Sequence, residues 1–276
     1  MVTAQRKAEI GVQRGMKDDT SPPRTDRALD LLVAKTEEHG TLVPRDVSAL
    51  RSLEPRTRQL QPGEDLVRQG DIPNSAVMVL RGMLARHHML PGGDRQYLSF
   101  HIAGDMPDLQ SLFVNMMDHS VCAMDAAEVA TFPHGELQSL FLDRPGVAFA
   151  MWRMTLVDAA IFRQAITNNS ARPPASRLAH FFCEQLVRAR EAKLTTDGTC
   201  SLPLTQEELG QALGLSLVSV NRALQKLRRD DLIEFRNNRL EVRDWPKLSG
   251  LASFDDGYLH CAKKSPISRT PFNRRR

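Results

Sequence analysis

The 276-residue sequence predicts an α+β architecture: an N-terminal antiparallel β-roll, a long dimerisation helix and a C-terminal winged helix-turn-helix. Three observations predict it. Short apolar stretches, among them LVRQG, AVMVLRG, YLSFHIAGD and VCAMDAAEVATFP, follow one another with glycine-bearing turns between them. A helical pattern then runs unbroken through PGVAFAMWRMTLVDAAIFRQAITNN. Finally, two short helical patterns meet at Gly214 in LTQEELGQALGLSLVSVNRALQKLRRDDL, and two strand-like runs follow around Asn237-Asn238.

In chain order, residues 1–26 are polar, contain Ser21-Pro22-Pro23 and read as a flexible extension. Residues 27–144 read as a β-roll domain with leading helices, which fall on either side of Gly40. Gly63, Gly70, Gly82, Gly92-Gly93 and Gly104 then punctuate the strands at intervals of about seven to twelve residues. That rhythm suits a small antiparallel barrel or roll. Pro91-Gly92-Gly93-Asp94 has the composition of a hairpin turn.

Residues 145–171 read as the dimerisation helix. Val147, Ala150, Met154, Val157, Ile161, Gln164 and Asn168 recur at spacings of three and four, a heptad seam. The seam fits a helix paired with its own copy, with Asn168 as a register-setting polar residue. The same spacing also fits a helix packed on its own roll. Arg172-Pro173-Pro174 breaks the helix and opens the unit at 172–260. Within it, a helix from about Ser176 to Lys193 buries Leu178, Phe181, Phe182, Leu186 and Ala189, and TTDGTCS reads as a loop.

Thr205 and Glu208 have capping-box spacing, and Leu209, Ala212 and Leu213 form the apolar side of the helix they start. Gly214 ends it, because a left-handed residue costs glycine little. Ser216 caps the next helix, whose inner face is Val220, Ala223, Leu224 and Leu227. Two helices joined by a tight glycine turn form a helix-turn-helix, and LIEFRNNRLEVRD reads as a hairpin wing. The second helix can enter a DNA major groove by its N-terminus. Ser216, Leu217, Val218, Ser219, Asn221 and Arg222 stand there. Arg222 is the candidate for a bidentate guanine contact, Ser219 and Asn221 for phosphate or a base edge, and Leu217 and Val218 for thymine methyls. Lys226, Arg228, Arg229, Arg236 and Arg239 suit phosphates, which add affinity and little sequence choice.

Charge distribution agrees. Net charge is +4 over the chain, yet residues 203–276 hold fourteen basic and nine acidic side chains. A basic end behind a near-neutral one points to nucleic acid. The basic tail, 261–276, ends in AKKSPISRTPFNRRR and suits either non-specific DNA contact or a solubilising end. No run of about eighteen apolar residues predicts a membrane span, and no apolar signal-peptide centre opens the chain, so the cytoplasm is expected. Cys122, Cys183, Cys200 and Cys261 are scattered and read as free thiols. There is no nucleophile elbow, P-loop or dinucleotide fingerprint, and enzyme chemistry is not expected.

The order roll, long helix, winged helix-turn-helix resembles the Crp/Fnr family of bacterial transcription regulators over roughly residues 45–260. LTQEELGQALGLSLVSVNRALQKLRRDDLI is similar to the family's helix-turn-helix signature, Arg68–Asp71 and Leu80–Gly82 to opening strands of its cyclic-nucleotide-binding-like roll, and FDDGYLH to an α-proteobacterial subgroup. The resemblance implies a homodimer on a palindromic operator near a promoter, with RNA polymerase as a partner and the roll sensing a signal. Arg222 matches a DNA-contacting arginine of the family. Members responsive to cyclic AMP carry Arg and Glu where this chain has Leu217 and Val218, so its DNA preference should differ.

The family's ligand cassette is degenerate here. Gly104-Asp105 precedes it, no glutamate stands in it, and His119-Ser120 replaces Arg-Ser. A neutral histidine is a poor substitute for a guanidinium facing phosphate, so cyclic AMP is not the expected signal. An N-terminal cysteine cluster for iron–sulfur chemistry is missing, since the first cysteine is Cys122. Haem would have to draw on His87, His88, Met89, His101 or His119. His119 with Cys122 and His180 with Cys183 have metal-compatible spacing, although Phe181 and Phe182 favour burial for the second pair. No metal or cofactor is assigned. A thiol switch at Cys122 lacks a basic neighbour in sequence. The rival reading is a ligand-binding module that regulates a protein partner.

Overall fold

The computed structural model describes residues 24–195 and 197–261. Most of the predicted extension and of the basic tail lies outside the described residues.

Two helices lead the chain, α1 (Arg24–His39) and α2 (Pro44–Arg51). Seven strands follow: β1 (Arg56–Leu60), β2 (Asp65–Val67), β3 (Ser75–Arg81), β4 (Leu84–Met89), β5 (Arg95–His101), β6 (Ser120–Ala123) and β7 (Ala127–Pro133). They form two antiparallel sheets, in the orders β1-β7-β3 and β2-β6-β4-β5. Leu60, Val77, Val79, Leu84, Val121 and Val129 fill the space between them. A short 3-10 turn, Leu109–Leu112, lies between β5 and β6. The turn at Pro91–Asp94 joins β4 to β5, with the Leu90 amide donating to the Asp94 carbonyl at 2.8 Å.

After α3 (His134–Asp143) comes α4 (Pro145–Ala171), and α5 (Pro174–Glu191) follows the proline break. α4 packs Val147 and Met151 against Leu32 and Leu50 of the leading helices and Leu137 of α3. The final segment comprises β8 (Thr199–Ser201), α6 (Gln206–Leu213), α7 (Leu217–Arg229), β9 (Ile233–Arg236), β10 (Arg239–Val242) and α8 (Trp245–Ala252). Its sheet runs β8-β10-β9. The TTDGTCS loop therefore contains a strand: Cys200 pairs with Leu240, and that long-range pairing decides the conformation.

Much of the predicted seam on α4 packs inside the chain. Val147, Ala150, Val157 and Asn168 are buried in the chain's own core, and Met154 and Ile161 are half-buried. Asn168 donates to the Arg177 carbonyl at 3.1 Å, and Gln164 pairs with His180 at 3.0 Å, both within the chain. The apolar side chains left in solvent are Phe149, Trp152, Leu156 and Ile166. With Ala159, Arg163 and Ser170 they form a second heptad stripe, two residues further along.

One hydrophobic cluster crosses the proline break. It joins Met83, Ala85, Tyr97, Phe100 and Cys122 of the roll to Phe181, Phe182, Leu209, Leu224 and Phe235 of the C-terminal unit. Gln96 donates to the Gln211 carbonyl, and Arg188 donates to the Phe100 carbonyl at 2.8 Å.

Candidate nucleic-acid interface and sensor cavity

The helix-turn-helix is built by local chemistry. The Thr205 hydroxyl accepts from the Glu208 amide at 3.2 Å while the Thr205 amide donates to Glu208 at 2.7 Å, closing the predicted capping box. Gly214 sits left-handed at φ 61° and donates to the Gly210 carbonyl. Gly210 is a residue the sequence reading passed over. A Cβ there would meet the Leu215 carbonyl oxygen at 2.7 Å, so the turn can close on α6 only over a glycine. A glycine inside a short helix was the available signal. The Ser216 hydroxyl caps α7 by accepting from the Ser219 amide at 3.2 Å.

α7 buries Val220, Ala223, Leu224 and Leu227 and turns Leu217, Val218, Asn221 and Arg222 outward, with Ser219 half-buried. Arg222 makes no ion pair among the described residues. Asn221 spans to Gln206 of α6 at 3.3 Å. The basic residues behind them divide. Lys226 pairs with Asp230 at 2.8 Å, with Arg229 also near that carboxylate at 3.8 Å. Arg228, expected on phosphate, instead donates to the Phe235 carbonyl and braces the wing against α7. Arg236 and Arg239 stand exposed on either side of the wing turn, Arg239 donating to Thr199 at 2.8 Å. Asn237 and Asn238 both take positive φ, as a two-residue hairpin turn of the I′ type requires.

In the roll, each group of the expected ligand cassette is already engaged. Asp105, after Gly104, accepts from the Ile102 amide at 2.8 Å and from Arg188 at 2.7 Å. His119 is buried, with its Nδ1 2.6 Å from Asp118 and its Nε2 3.5 Å from Gln110. Burial, reinforced by Arg86, lowers its pKa, so the ring is neutral at pH 7. The Ser120 hydroxyl accepts from the Gln69 amide at 3.0 Å.

A cavity of about 470 Å³ opens between the roll, α1, α4, α5 and the segment Leu259–Cys261. Asp105 lines it together with Arg86, His101, Gln110, Asp158 and Arg188. Arg86 is a second residue that sequence reasoning missed: its side chain is 4% exposed. The FDDGYLH segment reaches the same region. Tyr258 donates to Glu184 at 2.7 Å and stacks on His180, which Phe254 meets edge-on. His180 is thus a packing residue, its pKa lowered to about 4 mainly by burial. The residues proposed for haem are separated by role: His101 bonds Ser99, His87 meets Tyr97, and His88 reaches the Asp118 carbonyl. Among the described residues no group of three or more His, Cys, Asp or Glu could hold a metal.

Cys122 does have a basic neighbour, Arg95 at 3.7 Å, contributed by a strand 27 residues away. Burial nonetheless pushes its thiol up to about 11. Cys200 is likewise raised to about 12, mainly by burial.

Comparison with known proteins matches this arrangement. Residues 57–144 match the cyclic nucleotide-binding domain family and residues 176–251 the Crp-like helix-turn-helix domain family. The transcriptional activator protein FnrA of Stutzerimonas stutzeri is 26% identical over 208 residues, 75% of this chain and 85% of its own length. The transcriptional activator protein Anr of Pseudomonas protegens is 26% identical over 207 residues, 75% of this chain and 84% of its own. The solved structure of FixK2 from Bradyrhizobium japonicum superposes with a TM-score of 0.66 at 21% identity, over 74% of this chain and all of that one. With both domain types present in this order, the chain belongs to the Crp/Fnr family of transcription regulators and carries a Crp-like helix-turn-helix DNA-binding domain.

Proposed function

We propose that the chain acts as a cytoplasmic homodimer that binds a palindromic operator near a promoter and works there with RNA polymerase. The observation that carries the reading is the outward face of α7, where Leu217, Val218, Asn221 and Arg222 stand exposed at the helix N-terminus with the guanidinium free of ion pairs among the described residues. That face suits major-groove readout, with Arg222 on guanine and Ser216 and Ser219 near the backbone. Lys226, Arg229, Arg236 and Arg239 supply phosphate contacts. Arg228 supports them through the wing.

The exposed stripe on α4 supports the dimer. By length and composition α4 could also cross a membrane, since its most apolar window has a mean hydropathy of 1.2 and is 22% buried. Arg153, Asp158 and Arg163 argue against that, because each charge at a bilayer centre costs about 2.5–3.5 kcal/mol. A second copy of the helix is the better occupant. The roll is assigned no role in binding cyclic AMP, since His119 is neutral and the Arg188 guanidinium is already paired with Asp105.

Selection from random duplex DNA by purified protein, with and without cyclic AMP, tests the reading. Enrichment of the same palindrome in both conditions is expected. Enrichment only with cyclic AMP would overturn the assignment of the roll, and enrichment of nothing would overturn the DNA-reading dimer.

A further inference from the structure

Arg86 enters the interior of the roll from β4, and its guanidinium reaches four groups on two segments. Its Nε donates to the Pro107 carbonyl at 2.7 Å, its Nη1 pairs with Asp158 of α4, and its Nη2 faces the Gln110 side chain at 3.5 Å. The ring of Phe162, one turn beyond Asp158, lies 5.4 Å from its Cζ. Pro107 and Gln110 both belong to the stretch between Gly104 and His119 where a ligand cassette was sought. A permanent cation therefore ties that stretch to the long helix. On the other side of the cavity, Arg188 of α5 pairs with Asp105 of the roll at 2.7 Å. The roll is thus pinned to both helices flanking the Arg172-Pro173-Pro174 elbow, each time by a guanidinium–carboxylate pair.

We propose that Arg86 is the chain's built-in substitute for a diffusible effector, and that its link to Asp158 holds α4 in the arrangement that binds the operator without any small molecule. The reasoning is one of coupling. A ligand in such a cavity shifts a regulator only through contacts that bind roll and helix together more strongly in one arrangement than in another. Here a side chain makes those contacts, on partners it never leaves by diffusion. Guanidinium geometry suits the task, since its fork satisfies a carbonyl, a carboxylate and an amide oxygen at once.

This inference rests on the proposed DNA-binding function, and the experiment separates the two. Full-length protein is unfolded in guanidinium, dialysed to remove small molecules, refolded, and titrated with the selected operator and a scrambled duplex. Stripped wild-type protein is expected to bind the operator as tightly as before. Asp158→Asn is expected to lose at least tenfold in operator affinity while keeping its affinity for scrambled DNA. Loss of operator binding on stripping, restored by a small-molecule fraction of cell extract, overturns the inference. So does a folded Asp158→Asn protein that binds the operator unchanged. Should that variant not fold, the stripped wild-type measurement decides alone. Failure of the unstripped wild type to distinguish operator from scrambled DNA would instead sink the proposed function.

Discussion

Replacing Trp152 by alanine tests which face of α4 meets a partner. Trp152 is 59% exposed. For a side chain of this size, roughly 130 Å² then faces solvent, worth about 3 kcal/mol if a partner covers all of it. Two-fold symmetry doubles the effect and incomplete cover halves it, leaving about 3 kcal/mol per dimer, or roughly 100-fold in dimer Kd. Sedimentation equilibrium over a concentration series reads that shift directly. The control is Met154→Ala on the inner face, which packs against the chain's own leading-helix cluster. It should lower unfolding stability by about 1–3 kcal/mol and leave the dimer constant alone. A Trp152→Ala protein that dimerises as wild type, beside a Met154→Ala protein that falls apart into monomers, would refute the argument and return the seam to the predicted face.

Three further outcomes are expected. Arg222→Ala should cost roughly 1–3 kcal/mol in operator binding and relax the preference at one base pair, with scrambled-site binding changed little; competition binding against single-base variants of the operator checks this. Gly214→Ala should destabilise the fold by about 1–2 kcal/mol, because the added Cβ has room beside Arg177 but the left-handed conformation does not suit it; urea midpoints read the loss. Buried imidazoles should impose an acid limit. His39 and His180 are lowered from 6.5 to about 4, mainly by burial, so between those pH values the unfolded chain takes up protons that the folded chain refuses. Their contribution is whole above pH 6.5 and falls away as pH drops toward 4. Asp108 acts in the opposite sense, since burial raises it from 3.8 to about 7 and its cost appears as pH rises through that window. The stability advantage of Asp108→Asn over wild type should therefore grow from pH 4 to pH 7, and a constant difference in urea midpoints would contradict the assignment.

What could be read from sequence was what local chemistry decides. The capping box at Thr205, the left-handed Gly214, the Ser216 cap and the Asn237-Asn238 turn each involve residues within four positions of one another, and each is found as expected. Spacing on α4 identified an apolar face but not its neighbour. The helix has two such faces, and a heptad pattern does not distinguish contact with one's own domain from contact with a copy. Arg86 and Asp158 are 72 residues apart, so nothing local marks them as a pair. Arg228 fell to the same limit: its charge was legible, but the Phe235 carbonyl that occupies it comes into reach only when the wing folds back. Arg95 beside Cys122 is a third case, a neighbour supplied by strand pairing.

The hydrophobic cluster that crosses the proline break bears on how such regulators can be recombined. Tyr97 and Phe100 of the roll share their packing with Phe181 and the helices that carry the recognition face. A chimera joined at Arg172-Pro173-Pro174 would bring together two halves of different cores, and its junction would be sound in the backbone but mismatched in volume. Grafting a new DNA preference onto this chain calls for exchange of the outward residues of α7 alone, with the inner residues and the β4–β5 surface beneath them kept as a matched set.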